Sequence, residues 1–275
     1  MRKRLEVAHV IRNVQITQRL WWCEYNAPEI ASSALPGQFA HVLCSEPEQF
    51  DPLLRRPLSF SRIDPSKGHV AFLLDTVGRG TSWLVQQPAG AEIDMLGPLG
   101  TPFEFQFAES NVLLVGGGIG LAPLIALADT APQRGINVRL LGGGRDVEQI
   151  TPQEWLHPDT TYLISTDDGT AGHHGFVTDL VPEHYNWSDQ ICVCGPTPMM
   201  QAMAQLSPRL ARKHGHVPVH TSLEARMGCA MGVCYSCVVK TTEGVKRVCH
   251  DGPVFDQNHL TWEWNHVAPV HGQQN

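Results

Sequence analysis

The sequence predicts a multidomain chain: an N-terminal antiparallel β-barrel, a central doubly wound α/β nucleotide-binding domain, and a small C-terminal segment organised by cysteine. Three features carry this prediction. Short alternating segments between turn residues fill the N-terminal part, as in small barrels. From Asn111 the pattern changes to continuous apolar runs, each followed by a loop and a helix-like stretch, as in a parallel sheet covered on both faces. Four of the eight cysteines crowd into residues 229–249. The expected boundaries are 1–104, 105–218 and 219–275.

In the first part, Val7 to Ile16 alternates loosely. A turn at Pro36-Gly37 leads into a strand over Gln38–Leu43, and Arg56–Ser61 and His69–Asp75 are further strands. Gly78-Arg79-Gly80-Thr81-Ser82 precedes a short helix expected to begin near Trp83. Leu96-Gly97-Pro98-Leu99-Gly100-Thr101-Pro102 breaks the strand pattern, and the first boundary is set just after it.

In the second part, Val112-Leu113-Leu114-Val115 reads as a buried parallel strand, with 138–141, 161–164 and 190–193 as further strands. Gly116-Gly117-Gly118-Ile119-Gly120-Leu121-Ala122-Pro123 then opens a helix through Leu124 and Leu127. Glycines let backbone approach a pyrophosphate, and a helix N-terminus stabilises its charge. The third glycine of the dinucleotide fingerprint is absent, so a tight turn without a ligand is the competing reading. Cys194-Gly195-Pro196 follows another strand and opens another helix, which puts two loops at the carboxyl edge of the sheet. Asp167, in Ser165-Thr166-Asp167-Asp168-Gly169, suits a ribose and repels a 2′-phosphate, which favours NAD; a solvated turn with helix-cap aspartates is the alternative.

The composition excludes several classes. With 42% hydrophobic and 17% charged residues, the chain is not disordered, and a net charge of −7 argues against nucleic acid. No apolar region follows the basic start, and the stretch from Val112 to Ala128 is interrupted by glycines and Pro123, so neither an export signal nor a membrane span is expected. The expected compartment is the cytoplasm. Cys23, Cys44, Cys192 and Cys194 are read as buried, inert thiols.

Cys229-x4-Cys234-x2-Cys237-x11-Cys249 matches the plant-type order for a [2Fe–2S] cluster in its first three positions. Gly228, Ala230, Gly232 and Ser236 are small enough for backbone N–H groups to approach the sulfurs, and a hairpin turning at Glu243-Gly244 spans the gap to Cys249. A four-cysteine zinc site is the alternative, although such sites usually present two C-x2-C pairs. The third part is therefore read as an iron–sulfur segment. Thr221 and Glu224 are spaced as a helix capping box before it. The fourteen histidines are scattered and read as solvated loop residues, including His173-His174, and no residue is expected as a general acid or base.

Arg56-Pro57-Leu58-Ser59, Gly80-Thr81, the loop carrying Gly118, Gly120 and Pro123, and Cys194-Gly195-Pro196 resemble the ferredoxin–NADP reductase superfamily. With the cysteine segment, Gly97-Pro98-Leu99-Gly100 and Thr166–Gly169, nearly the whole chain resembles electron-transfer subunits of NAD-dependent dihydroorotate dehydrogenases. The resemblance implies a barrel that binds FAD through Arg56, Pro57, Leu58, Ser59, Leu73, Leu74, Asp75, Gly80 and Thr81. It also implies an α/β domain that binds NAD and a [2Fe–2S] cluster on the four clustered cysteines. Leu58 stands where many superfamily members have Tyr. The implied partner is an FMN-containing catalytic subunit in a heterotetramer, which oxidises dihydroorotate in pyrimidine biosynthesis. Electrons would pass from FMN to the cluster, then to FAD, then as hydride to NAD. A ferredoxin- or hydrogenase-type partner and a zinc-stapled nucleotide-binding regulator are the rival readings. The tail Trp262–Asn275 is read as a packing strap.

Overall fold

Apolar alternation over the N-terminal part builds one antiparallel sheet. The computed structural model describes residues 3–46, 48–49, 51–106 and 110–262. Its first strands are β1 (Arg4–Gln15), β2 (Leu20–Asn26), β3 (Phe39–Val42), β4 (Arg56–Ser59), β5 (Arg62–Asp64), β6 (His69–Asp75) and β7 (Glu92–Leu99), with helices α1 (Pro28–Ala31) and α2 (Arg79–Val85). The sheet order is β4-β3-β7-β1-β2-β6-β5. β4 and β5 lie at opposite edges, yet only Phe60 and Ser61 separate them along the chain. The sheet must therefore curl until its edges meet. Phe60 N–H donates to the Gln38 carbonyl at 3.1 Å and Ser61 N–H to the Ala71 carbonyl at 2.8 Å, which stitches the closure. The enclosed core contains Tyr25, Val42, Phe60, Phe72 and Met95, and α2 adds Leu84 and Val85.

Two local expectations are corrected. β7 runs through Gly97 and Pro98 to Leu99, because Gly97 pairs with Arg4 and Leu99 with Phe39; cross-strand pairing overrides the turn-like composition. α2 begins at Arg79 rather than near Trp83, with Gly78 as its N-cap, so Gly80 and Thr81 lie in its first turn.

The second sheet follows from strands with little exposed surface. β8 (Asn111–Gly117), β9 (Asn137–Gly144), β10 (Thr161–Thr166), β11 (His173–His174), β12 (Gln190–Cys194) and β13 (Val219–Ser222) are parallel, in the order β11-β10-β9-β8-β12-β13. One face, with Leu113, Val115, Ile191 and Val193, packs on Met200, Met203 and Leu210 of a long helix. The other, with Val112, Leu114 and Cys192, packs on the apolar helix after β8 and on Leu20 and Trp22 of the barrel. These helices are α3 (Leu121–Thr130) and, after the short α4 (Val181–Tyr185), α5 (Thr197–His214). Helices on both faces make the sheet doubly wound. The strand order reverses between β8 and β12, which is where ligands bind in such sheets.

The cysteine segment grows out of this layer. A hairpin of β14 (Val238–Thr241) and β15 (Gly244–Arg247) leads to α6 (Val248–Asp251), which carries Cys249. The chain then returns as β16 (Val254–Asp256), antiparallel to β13. The segment before β16 is held from several sides. Thr101 N–H donates to the Gly252 carbonyl at 2.6 Å, Leu223 N–H to the Pro253 carbonyl at 2.9 Å, and Thr101 Oγ1 to the Val254 carbonyl at 3.2 Å. The capping box expected at Thr221 and Glu224 does not form: Thr221 is committed to β13, opposite Val193 and Phe255, and residues 223–237 carry no helix. Trp262 packs against the core around the cysteine segment, and the rest of the expected strap lies outside the described residues.

The barrel and the α/β layer meet at Trp22, which is 1% exposed. Its ring lies 5.3 Å from that of Trp155, and the Arg62 guanidinium sits 4.9 Å above it while donating to Asp129 at 2.7 Å. Emptying a site of this size in a core costs about 3–5 kcal/mol. Trp22→Ala is therefore expected to lower unfolding stability by about that amount in chemical denaturation.

Candidate cofactor-binding sites

The loop after β8 and the loop after β12 touch. A Cβ on Gly120 would lie 2.4 Å from the Cys194 carbonyl oxygen and 2.6 Å from the Gly195 Cα. Only glycine permits this approach, and the approach brings Gly118, Gly120, Cys194, Gly195 and Pro196 to one crevice. Gly118 has φ +53, and no atom lies within 4 Å of where its Cβ would stand, so the space above the loop is open to a ligand. Pro123 sits in the first turn of α3, where its missing N–H costs no helical hydrogen bond. Backbone N–H groups at a helix start beside an open groove suit a pyrophosphate.

Asp167 lies just after β10 and is exposed. Burial raises the pKa of its carboxyl, and the nearby Arg145 opposes that shift. Its neighbour Asp168 caps the turn, accepting from Thr170 N–H at 2.9 Å and Thr170 Oγ1 at 2.7 Å. The two aspartates therefore divide the roles weighed for this loop. Asp168 is the cap, and Asp167 remains available at the carboxyl edge of the sheet.

On the barrel, Arg56 and Gly80 meet although 23 residues separate them along the chain: a Cβ on Gly80 would lie 3.3 Å from Arg56 Nε and 3.2 Å from Cys44 Cβ. The bare glycine lets the guanidinium lie over the first turn of α2, beside Thr81, whose Oγ1 donates to the Gly78 carbonyl at 3.1 Å. An arginine above a glycine cradle fits a diphosphate such as that of FAD. Pro57 and Ser59 point to one face of β4 and Leu58 to the other, into the barrel core. β6 is less accommodating. The Leu74 side chain fills the barrel core and that of Leu73 fills the joint with the α/β layer. The Asp75 carboxylate is held by Arg19 at 2.7 Å. Neither leucine leaves more than its backbone for a ligand.

The four clustered cysteines lie as two adjacent pairs: Cys234 N–H donates to Cys229 Sγ at 3.4 Å and Cys249 N–H to Cys237 Sγ at 3.5 Å. Left-handed backbone at Ala230, Gly232 and Tyr235 winds the loop inward. Cys229 Sγ accepts from the N–H groups of Met231, Val233 and Cys234, each at 3.4 Å. Burial raises the Cys229 pKa, but these N–H groups prevail and bring it down to about 6. Cys237 also falls to about 6, chiefly through the hydrogen bond from Cys249, whose own thiol is raised in return. Two pairs of thiols, with N–H groups aimed at sulfur, fit a two-iron cluster that takes two thiolates per iron. Among the described residues, no three Cys, His, Asp or Glu side chains gather as a single metal ion would require. Cys23, Cys44, Cys192 and Cys194 are buried, and burial raises the pKa of each thiol.

Several residues at these sites have no motif to announce them. Arg247 braces the cysteine loop: Nη1 donates to the Gly232 carbonyl at 2.9 Å, and Nε and Nη2 hold both oxygens of Asp251 at 2.9 and 3.0 Å. Glu224 lies beside Cys194, and burial raises its carboxyl to about 7. His41 corrects the reading of the histidines as solvated, since it is buried in the barrel wall while His173 and His174 are exposed. Burial against apolar neighbours is a property of register, which composition does not display.

Fold and sites together define the class of ferredoxin reductase-like oxidoreductases. A solved NADH-dependent reduced ferredoxin–NADP oxidoreductase matches with a TM-score of 0.80 and 30% identity, over 94% of this chain and 91% of that one. The ferredoxin reductase of a carbazole 1,9a-dioxygenase shares the fold at a TM-score of 0.64 and 23% identity, over 78% of this chain and 67% of that one. Residues 114–205 match the oxidoreductase NAD-binding domain family, and residues 224–261 match the iron–sulfur cluster binding domain of dihydroorotate dehydrogenase B. The dihydroorotate dehydrogenase B (NAD(+)) electron transfer subunit of Desulforamulus reducens is 38% identical over 263 residues, covering 93% of this chain and 98% of that protein. That of Geobacillus kaustophilus is 41% identical over 225 residues, covering 80% and 84%. The chain belongs to the family of dihydroorotate dehydrogenase B (NAD(+)) electron transfer subunits. No helix among the described residues is long and apolar enough to cross a membrane.

The loop contact at the switch point yields a direct test. Gly120→Ala forces the two loops apart and is expected to weaken NADH binding at least tenfold. The change should be read by titrating the nicotinamide signal, with the flavin and cluster absorbance unchanged.

Proposed function

We propose that this chain passes electrons between an FMN-containing subunit that oxidises dihydroorotate and NAD, through a [2Fe–2S] cluster and FAD of its own, in pyrimidine biosynthesis. The observation that carries this reading is the paired-thiol loop built onto the sheet whose switch point forms the nucleotide crevice. When bound, NAD takes two electrons as hydride, the cluster takes one at a time, and a flavin does either.

The residues divide the work by location. Cys229, Cys234, Cys237 and Cys249 would hold the cluster, with Arg247 fixing the loop against α6. Arg56, Gly80 and Thr81 would hold the FAD diphosphate, and Pro57 and Ser59 would face its ring system. Gly118, Gly120, Pro123, Cys194, Gly195 and Pro196 would seat NAD, with Asp167 toward the ribose. The units 1–104, 105–218 and 219–275 would thus serve FAD, NAD and the cluster in turn. No step in this scheme asks the protein for a general acid or base. Its work is position and electrostatics.

The partner is read from the rim of the cysteine loop. Cys234 is exposed, and Met231, Val233 and Tyr235 around it are exposed too, Val233 at 74%. Apolar side chains around an electron-transfer centre suit a protein surface that excludes water when it docks. We assign this rim to the catalytic subunit, within a heterotetramer. Cysteines read as cluster ligands and buried thiols rather than disulfides suit the reducing cytoplasm, where we place the complex. A ferredoxin-type partner is the second reading, favoured by the solved structure at 30% identity; the dihydroorotate dehydrogenase relatives, at 36–41%, outweigh it.

Removing one cluster ligand separates the two halves of the scheme. Cys234→Ala is expected to abolish dihydroorotate-driven NAD reduction in the assembled complex. NADH oxidation by an artificial acceptor, measured on the same sample, should be largely retained. Loss of both activities would mean that the cluster is mainly structural.

A further inference from the structure

β3 and β4 pair with His41 opposite Pro57 and Phe39 opposite Ser59, so these four side chains share one face of the sheet. Ala40, Val42 and Leu58 take the other face and fill the barrel core. Across β7, His41 stands opposite Leu96. Phe39 belongs to, and Leu96 packs on, the hydrophobic cluster that contains Cys237 and Cys249. A Cβ on Gly100 would lie 3.0 Å from Phe39 Cε1 and 2.5 Å from Pro253 Cδ, so the barrel face that carries Phe39 and His41 abuts the chain that follows Cys249.

The side chain is buried, with 2% of its surface exposed, and its Nε2 has no hydrogen-bond partner among the described residues. Native interiors rarely leave such an atom unpaired, so this nitrogen calls for a partner. The two arginines whose charges act on the ring are committed elsewhere. Arg55 donates to the His41 carbonyl at 3.3 Å, to the Asp94 carbonyl at 3.0 Å and to the Asp94 carboxylate at 2.6 Å. Arg56 Nη1 donates to the Leu54 carbonyl at 2.5 Å. Burial, reinforced by the charges of Arg55 and Arg56, lowers the ring pKa to about 4. The imidazole is thus neutral at physiological pH, with one nitrogen to donate from and one to accept with.

We propose that Nε2 of His41 hydrogen-bonds to FAD, making His41 a flavin-binding residue on the barrel face that abuts the cysteine segment. The inference rests on the reading that the barrel holds FAD. It adds a contact that lies outside the arginine–glycine cradle and has no sequence motif.

The test uses the full chain, purified with its cluster, stripped of FAD and titrated with FAD alone while flavin fluorescence is followed. His41→Leu is compared with His41→Gln, which keeps a hydrogen-bonding amide. His41→Leu is expected to weaken FAD binding at least tenfold. Its flavin-free form should melt no lower than the flavin-free wild type, because an apolar side chain replaces an unpaired nitrogen. His41→Gln should recover part of the affinity. The proposal is overturned if His41→Leu binds FAD within twofold of the wild type. It is equally overturned if the flavin-free melting temperature and the affinity fall together without rescue by His41→Gln, because the nitrogen then serves the fold. A wild-type chain that takes up no FAD at all would instead defeat the reading on which the proposal rests.

Discussion

The short run from Gly252 to Val254 fixes the three parts of the molecule against one another. Its carbonyls accept from Thr101, at the exit of the barrel, and from Leu223, at the end of β13. Immediately before it stands α6 with Cys249, and immediately after it β16 joins the nucleotide sheet. One stretch of backbone therefore ties the barrel, the α/β layer and the last cysteine. Electron transfer needs centres held at set positions rather than brought together by diffusion, and backbone hydrogen bonds across three units are a direct way to hold them. A loose tether between the sheet and the cysteine segment would leave the cluster position to chance.

The same economy runs through the individual sites. Each is made where two elements approach more closely than a side chain would allow: Gly120 against the Cys194 carbonyl, and Gly80 under Arg56. The cysteine loop reaches the same end by another route. Left-handed residues turn its N–H groups onto Cys229, and Arg247 locks the loop to α6. The protein offers donors, small residues and buried walls at each site. That matches a chain whose chemistry resides in bound groups.

Much of this was legible in the sequence, for physical reasons. The change from alternation to continuous apolar runs marks the passage from a curled antiparallel sheet to a buried parallel one. The thiol spacing announces the cluster loop, because local spacing alone can bring those sulfurs together. What stayed hidden depends on long-range pairing. β2, β5 and β7 are strands by virtue of their neighbours, and β7 absorbs the Gly97-Pro98 pair that composition reads as a break. The Thr221–Glu224 spacing suggests a helix cap, yet pairing with β12 and β16 decides for a strand. Leu73 and Leu74 follow a family pattern, and only the register shows their side chains turned into cores. His41 and Arg247 carry no motif and acquire their roles from burial and contact.

The central requirement is that one chain links nicotinamide to the paired thiols. The most direct measurement is the visible and paramagnetic resonance spectrum of the anaerobically purified chain, before and after addition of NADH. Flavin and iron–sulfur absorption that both bleach, with the signal of a reduced [2Fe–2S] cluster appearing, is the predicted result. A colourless protein containing bound zinc, or flavin that bleaches while the cluster stays oxidised, would contradict it.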